Sequence, residues 1–173
     1  LSSQDYLADE GLATTVFLAL SMRRPLLLEG EAGVGKTEIA KVLSRWLGAD
    51  LIRLQCYEGI DSTQAVYEWD YARQLLHIRA LEAGHATIDE AELYSERFLV
   101  RRALLQAIDH RGPIPPVLLI DDIFDKLDND RSQKLIELIA SNEFGQVFLT
   151  DTDDAHIRET LKGREDLFEI VNI

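Results

Sequence analysis

The chain has 173 residues, 46% hydrophobic and 28% charged, with a formal net charge of −13. That is the composition of one globular domain with a real core. Its surplus of carboxylates repels nucleic-acid phosphates, and no apolar run reaches the roughly 18 residues that span a bilayer, so neither partner is expected.

Along the chain, Leu7, Leu12, Val16, Phe17 and Leu20 are spaced for a helix over 4–22, behind a serine cap. No basic leader precedes this stretch, so no signal peptide is expected. "PLLLEG" (25–30) reads as a short buried strand opened by proline, "KTEIAKVLSRWLG" (36–48) as an amphipathic helix closed by Gly48, and "LIRLQC" (51–56) as an alternating strand. Helices are expected at 70–83, from the capping-box spacing of "TIDE" (87–90), and from Glu96 to His110. The last of these would carry Arg97, Arg101 and Arg102 on a solvated face. "VLLID" (117–121) is a buried strand and 130–145 a helix running into a glycine-containing turn. "QVFLT" (146–150), a helix at 154–163 and "LFEIVNI" (167–173) complete a strand–helix–strand ending. Strands alternating with helices predict an α/β fold with a parallel sheet covered on both faces.

"GEAGVGKT" satisfies G-x-x-x-x-G-K-[ST] and lies between an expected strand and an expected helix, the context this phosphate-binding loop requires. The loop is Gly30, Glu31, Ala32, Gly33, Val34, Gly35, Lys36 and Thr37. Its glycines let successive N–H groups curl around an anion, and the start of the helix adds a positive field. Lys36 offers a point charge to the β- and γ-phosphates, and Thr37 a hydroxyl to Mg²⁺.

In "LLIDDIFDKLDND" (118–130) the apolar run ends in Asp121 and Asp122. Carboxylates at the carboxyl end of a buried strand stand where open α/β sheets bind ligands. Asp121 is the candidate for the magnesium's hydration shell and Asp122 for the attacking water. Such enzymes mostly carry glutamate in the second place. The shorter aspartate predicts slow turnover with undiminished nucleotide binding.

From about Tyr6 to Leu119 the chain resembles the MoxR branch of AAA+ ATPases, through "RPLLLEGEAGVGKTEIAKVLS", "LIRLQCYEGIDSTQAVYEWDYARQLL", "ELYSERFLVRRALLQAI" and "GPIPPVLLID". From Val117 to the end, "VLLIDDIFDKLDNDRSQKLIELIASNEFGQVFLTDTDDAHIRETL" is similar to the carboxyl-terminal part of RecF-type DNA-repair ATPases, relatives of ABC and SMC proteins. There "LLIDD" would be the Walker B strand, "FDKLD" the D-loop closed by Asp128, and "FLTDTD" the strand end that senses the γ-phosphate through Thr150 or Thr152. Many ABC relatives carry a switch histidine there, whereas this chain has Thr152, with His156 further on. The two likenesses meet in the shared "LLID". They imply a single P-loop NTPase domain over 1–173, with a MoxR-like part at 1–116 and a RecF-like part at 117–173. Its three-layer sandwich would hold a mainly parallel five-stranded sheet of ASCE order 5-1-4-3-2. A recombinant or designed chimera is the first reading of this join and a natural mosaic the second.

The expected ligands are ATP and Mg²⁺. Hydrolysis is expected to be weak or absent, because no arginine finger, lid or LSGGQ-like signature follows the motifs. A ring of AAA+ type is the oligomer the resemblance implies, although those missing parts weigh against it. The alternatives are a scaffold with a vestigial nucleotide site and a DNA-repair fragment. Single Cys56 excludes an internal disulfide and agrees with a cytoplasmic location. It reads as a small buried residue, Trp69, Tyr67 and Tyr71 as packing aromatics, and Asp125, Asp128 and Asp130 as helix N-terminal charge. His77, His85, His110 and His156 lack the spacing of a zinc site. Glu29 and Glu31 are expected to face solvent.

Overall fold

Leu26, Leu27 and Leu28 are all buried, although neighbouring side chains on a strand point to opposite sides. Their strand therefore lies between two cores, and the rest of the architecture follows from that. The structure is a computed structural model and describes residues 10–58, 60, 62–140, 144–152 and 168–173. Among these, helix α1 (Glu10–Met22) leads into strand β1 (Leu26–Glu29) and helix α2 (Lys36–Leu47), followed by β2 (Leu51–Gln55) and α3 (Ser62–Val66). Next come β3 (Tyr67–Trp69), α4 (Tyr71–Ala83), α5 (Glu90–Leu93), a 3₁₀ turn at Glu96–Phe98, β4 (Leu99–Arg101) and α6 (Ala103–Ile108). The remainder is β5 (Val117–Asp121), α7 (Ile123–Lys126), α8 (Asn129–Ala140), β6 (Gln146–Asp151) and β7 (Glu169–Asn172).

The main sheet runs β2-β5-β6-β1-β7, with every pairing parallel. Written from the β7 edge this is the order the sequence predicts, with β5 and β6 between β1 and β2. Alternation sorts each strand's side chains between the two cores. Leu26 and Leu28, Val117 and Leu119, and Phe148 pack with Leu12, Val16 and Ala19 of α1 and with Ile39, Ala40 and Leu43 of α2. Leu27, Leu118, Ile120, Val147 and Leu149 face the other way, onto Leu104 of α6 and Leu135, Ile136 and Ile139 of α8. Helix α2 ends as its sequence suggests. Gly48 is left-handed at φ 64°, and the N–H groups of Gly48 and Ala49 close on the carbonyls of Arg45 and Ser44.

Two local expectations need correction. The segment expected as one helix from Glu96 to His110 is a 3₁₀ turn, a strand and a six-residue helix. Its strand β4 pairs antiparallel with β3, Tyr67 opposite Arg101 and Trp69 opposite Leu99. Arg97, Arg101 and Arg102 are accordingly held by carboxylates, Arg97 by Glu92, Arg101 by Glu96 and Asp109, and Arg102 by Glu68. Helix α5 begins later than "TIDE" suggests, because Asp89 accepts from the Ala91 N–H and becomes the cap. The first residues expected in α1 and the helix expected at 154–163, with His156, lie outside the described residues.

Candidate functional site

Asp121 shares the parity of Val117 and Leu119, so its side chain emerges on the face that α2 covers. Thr150, two residues after Phe148, emerges on that same face and is Asp121's partner in the β5–β6 register. Helix α2 starts on this side with Lys36 and Thr37. The folding of three separate segments thus brings the glycine loop, the first aspartate and the β6 tip together. Thr37 Oγ1 lies 3.4 Å from Asp121 Oδ1.

Two glycines are required by geometry. Gly35 caps α2 at φ 100°, a conformation that a side chain disfavours, and its carbonyl accepts from the N–H groups of Glu38 and Ile39. At Gly30 a Cβ would stand 2.5 Å from the Ile173 carbonyl oxygen, because the Ile173 N–H donates to Glu29 O at 2.8 Å beside it. The first N–H groups of α2 have no partner within the helix, and at the positive end of a helix such groups are free to receive an anion.

Lys36 is only 8% exposed. Its Nζ donates to the Gly30 and Glu31 carbonyls at 2.5 and 2.8 Å. The ammonium therefore ties the two sides of its own loop, where the sequence expectation had it aimed at phosphates. Asp121 accepts from Thr150 Oγ1 at 2.8 Å and from Arg53 Nε at 2.6 Å. Of the two candidate sensors, Thr150 is buried and committed to Asp121. Thr152 is exposed at the cleft, its N–H donating to Asp151 Oδ1. Asp122 is left-handed, φ 58°, a conformation aspartate tolerates better than most residues. It is held there by its N–H donating to the Thr150 carbonyl at 3.1 Å.

Asp122, Asp121, Thr150, Thr152 and the loop from Ala32 to Thr37 (Val34 apart) line one cleft of about 360 Å³, within the range of small-ligand sites. A larger groove of about 820 Å³ lies at the opposite ends of β5 and β6, among Met22, Ile108, Pro115, Pro116 and Phe144. Among the described residues no carboxylate lines it, so it lacks the charged oxygen donors that a magnesium ion takes. Beneath the cleft Cys56 is buried, and desolvation with the charges of Asp122, Asp121 and Asp151 pushes its thiol up to about 12. Glu29 is 5% exposed, correcting the expectation that it faces water, whereas Glu31 is exposed. Asp128 accepts from the Arg131 N–H at the head of α8, which accounts for it as helix N-terminal charge. Trp69 packs edge-on against Tyr67 and Tyr94.

Arg53 is the residue that sequence reasoning missed. Alternation along β2 places it on the α2 face, but only the β2–β5 register brings it to Asp121.

The residues fit a magnesium ion. Thr37 Oγ1 and Asp121 Oδ1 are hard oxygen donors 3.4 Å apart at one cleft, the kind of group that would hold a magnesium ion and its waters.

Comparison with known proteins adds a family. The family model for the AAA domain of the dynein-related subfamily matches residues 25–155. The chain is also similar to the DNA replication and repair protein RecF of Parabacteroides distasonis, 30% identical over 129 residues, 65% of this chain and 35% of that protein. With RecF of Porphyromonas gingivalis it is 41% identical over 87 residues, 47% of this chain and 24% of that protein. With RecF of Phocaeicola vulgatus it is 44% identical over 59 residues, 34% of this chain and 16% of that protein. The chain spans about a third or less of the length of these relatives.

Proposed function

The chain belongs to the AAA domain family, dynein-related subfamily, and from that premise we propose that it binds ATP with Mg²⁺ and hydrolyses it slowly. The observation that carries this reading is the meeting of Thr37 with Asp121 beside the glycine loop. In it the N–H groups of residues 31–37 cradle the phosphates. Lys36 turns from its two loop carbonyls to the β- and γ-phosphates, and Thr37 and Asp121 hold the metal. When bound, Mg²⁺ neutralises charge that develops on the phosphate oxygens. Asp122 orients the attacking water, and Thr152 meets the terminal phosphate from the β6 side. Turnover is slow because Asp122 is one methylene shorter than a glutamate, so the water it orients lies farther from the terminal phosphate.

The finer reading, MoxR-like before β5 and RecF-like after it, is a chain composed of two P-loop parts joined within that strand, which the residues of the two segments suggest. The RecF matches that cover 65% and 47% of this chain are longer than the segment 117–173, so RecF likeness also reaches the part before β5. Thermal melting with and without Mg·ATP tests the function, since a ligand of the folded state raises Tm. No shift at millimolar nucleotide would favour a scaffold with a vestigial site. The RecF likeness favours a second reading, part of a DNA-repair ATPase. That reading predicts salt-sensitive duplex binding, which the net charge of −13 opposes.

A further inference from the structure

Arg53 belongs to no nucleotide-binding motif, yet it occupies the oxygen of Asp121 that Thr150 and Thr37 leave over. Its Nε donates to Oδ2 at 2.6 Å, while Thr150 and Thr37 approach Oδ1 at 2.8 and 3.4 Å. Both oxygens of the carboxylate are thus engaged by the chain's own groups. The two partners are unequal. The Asp121 side chain is 4% exposed and fixed in the wall, whereas the Arg53 side chain is 47% exposed on a flexible stem at the same cleft. A guanidinium in this place opposes a second cation by like charge and by holding the acceptor.

We propose that Arg53 is a positioning residue that closes the metal subsite until phosphates arrive. With the cleft empty of nucleotide, its guanidinium neutralises Asp121, and a hydrated divalent cation by itself is a poor competitor. A cation arriving on a triphosphate brings the negative charge that receives the displaced guanidinium. Metal capture is thereby made conditional on nucleotide. The inference rests on the Mg·ATP reading and adds a specificity-determining residue to it.

The test measures Mn²⁺ affinity by titration and electron paramagnetic resonance. The proteins are the whole chain, R53Q and R53L, each with and without a non-hydrolysable ATP analogue, after thermal melting has shown that they are folded. Without nucleotide, R53Q binds Mn²⁺ about fivefold more tightly than the unaltered chain, the scale of a half-exposed ion pair. With Mg²⁺ present, its affinity for the analogue falls by about the same factor. A loss of structure would weaken both, so the opposite signs mark the gate. R53L keeps the packing of the stem and gives the same pair of results should R53Q not fold. Nucleotide-free Mn²⁺ affinity that is unchanged or weaker in the folded variants overturns the proposal while leaving the nucleotide reading intact. An unaltered chain that takes up no analogue overturns the nucleotide reading instead, and the gate with it.

Discussion

Thr37 and Asp121 stand 84 positions apart in the chain and 3.4 Å apart in space. The carboxylate that meets the hydroxyl is almost fully buried and is shared with Thr150 and Arg53. A site built this way is sensitive to single atoms, and each of its parts can be tested separately.

Lys36→Ala removes the charge from the loop. Charge-assisted hydrogen bonds are worth about 1.5–3 kcal/mol, so ATP affinity falls by about 10- to 100-fold. Isothermal titration of folded protein measures it, and an unchanged affinity would sink the phosphate-loop assignment.

Asp121→Asn keeps the shape and exchanges one acceptor for a donor. Arg53 and Thr150 donate to opposite oxygens of Asp121, so an amide in its place can accept from only one of them and stability drops by about 1–3 kcal/mol, read from urea denaturation. In the same variant ATP binding becomes nearly independent of Mg²⁺.

Gly30→Ala forces a methyl group against the Ile173 carbonyl, at a φ of 154°. Strain of this kind costs about 1–3 kcal/mol, a fall in Tm of several degrees in a calorimetric scan. The loop shifts as β7 and β1 adjust, so nucleotide affinity declines as well.

Cys56 titrates upward from its ordinary 9.0 to about 12 because it is buried among carboxylates. The unfolded thiol loses its proton first, so this contribution to stability is whole below about pH 9 and is lost as pH rises from there toward about 12. Denaturation of the unaltered chain and Cys56→Ala between pH 8 and 11 checks the sign, with a shallower fall expected in the variant. At pH 8 the native thiol resists alkylation until the protein is unfolded.

The segment 1–116 supplies β1 and β2, which do not touch, since β5 and β6 lie between them. Expressed by itself, that segment is expected to melt without a cooperative transition, as followed by circular dichroism. A cooperative melt would show that it folds without β5 and β6.

The central sheet was legible because its strands are short apolar runs next to motifs of fixed chemistry. "PLLLEG" before the glycine loop and "VLLID" before the acid pair admit few other readings. The β3–β4 hairpin was not legible. Its strands are three residues long and lie about 30 positions apart, and the helical spacing of Leu104 and Ala107 does not show where their helix begins. Arg53 was hidden for a different reason. Alternation tells which face it occupies, but its partner depends on pairing between strands that no local pattern specifies. Glu29 was misjudged because the end of β1 is flanked by β6 on one side and β7 on the other, which its own sequence does not announce.

The odd and even positions of β5 serve different sides of the molecule, the odd ones facing α2 and the even ones α8. Adding or deleting one residue between Val117 and Asp121 would therefore turn the acid inward against α8 and leave an aliphatic side chain at the phosphate loop. Length changes here are tolerable only in pairs.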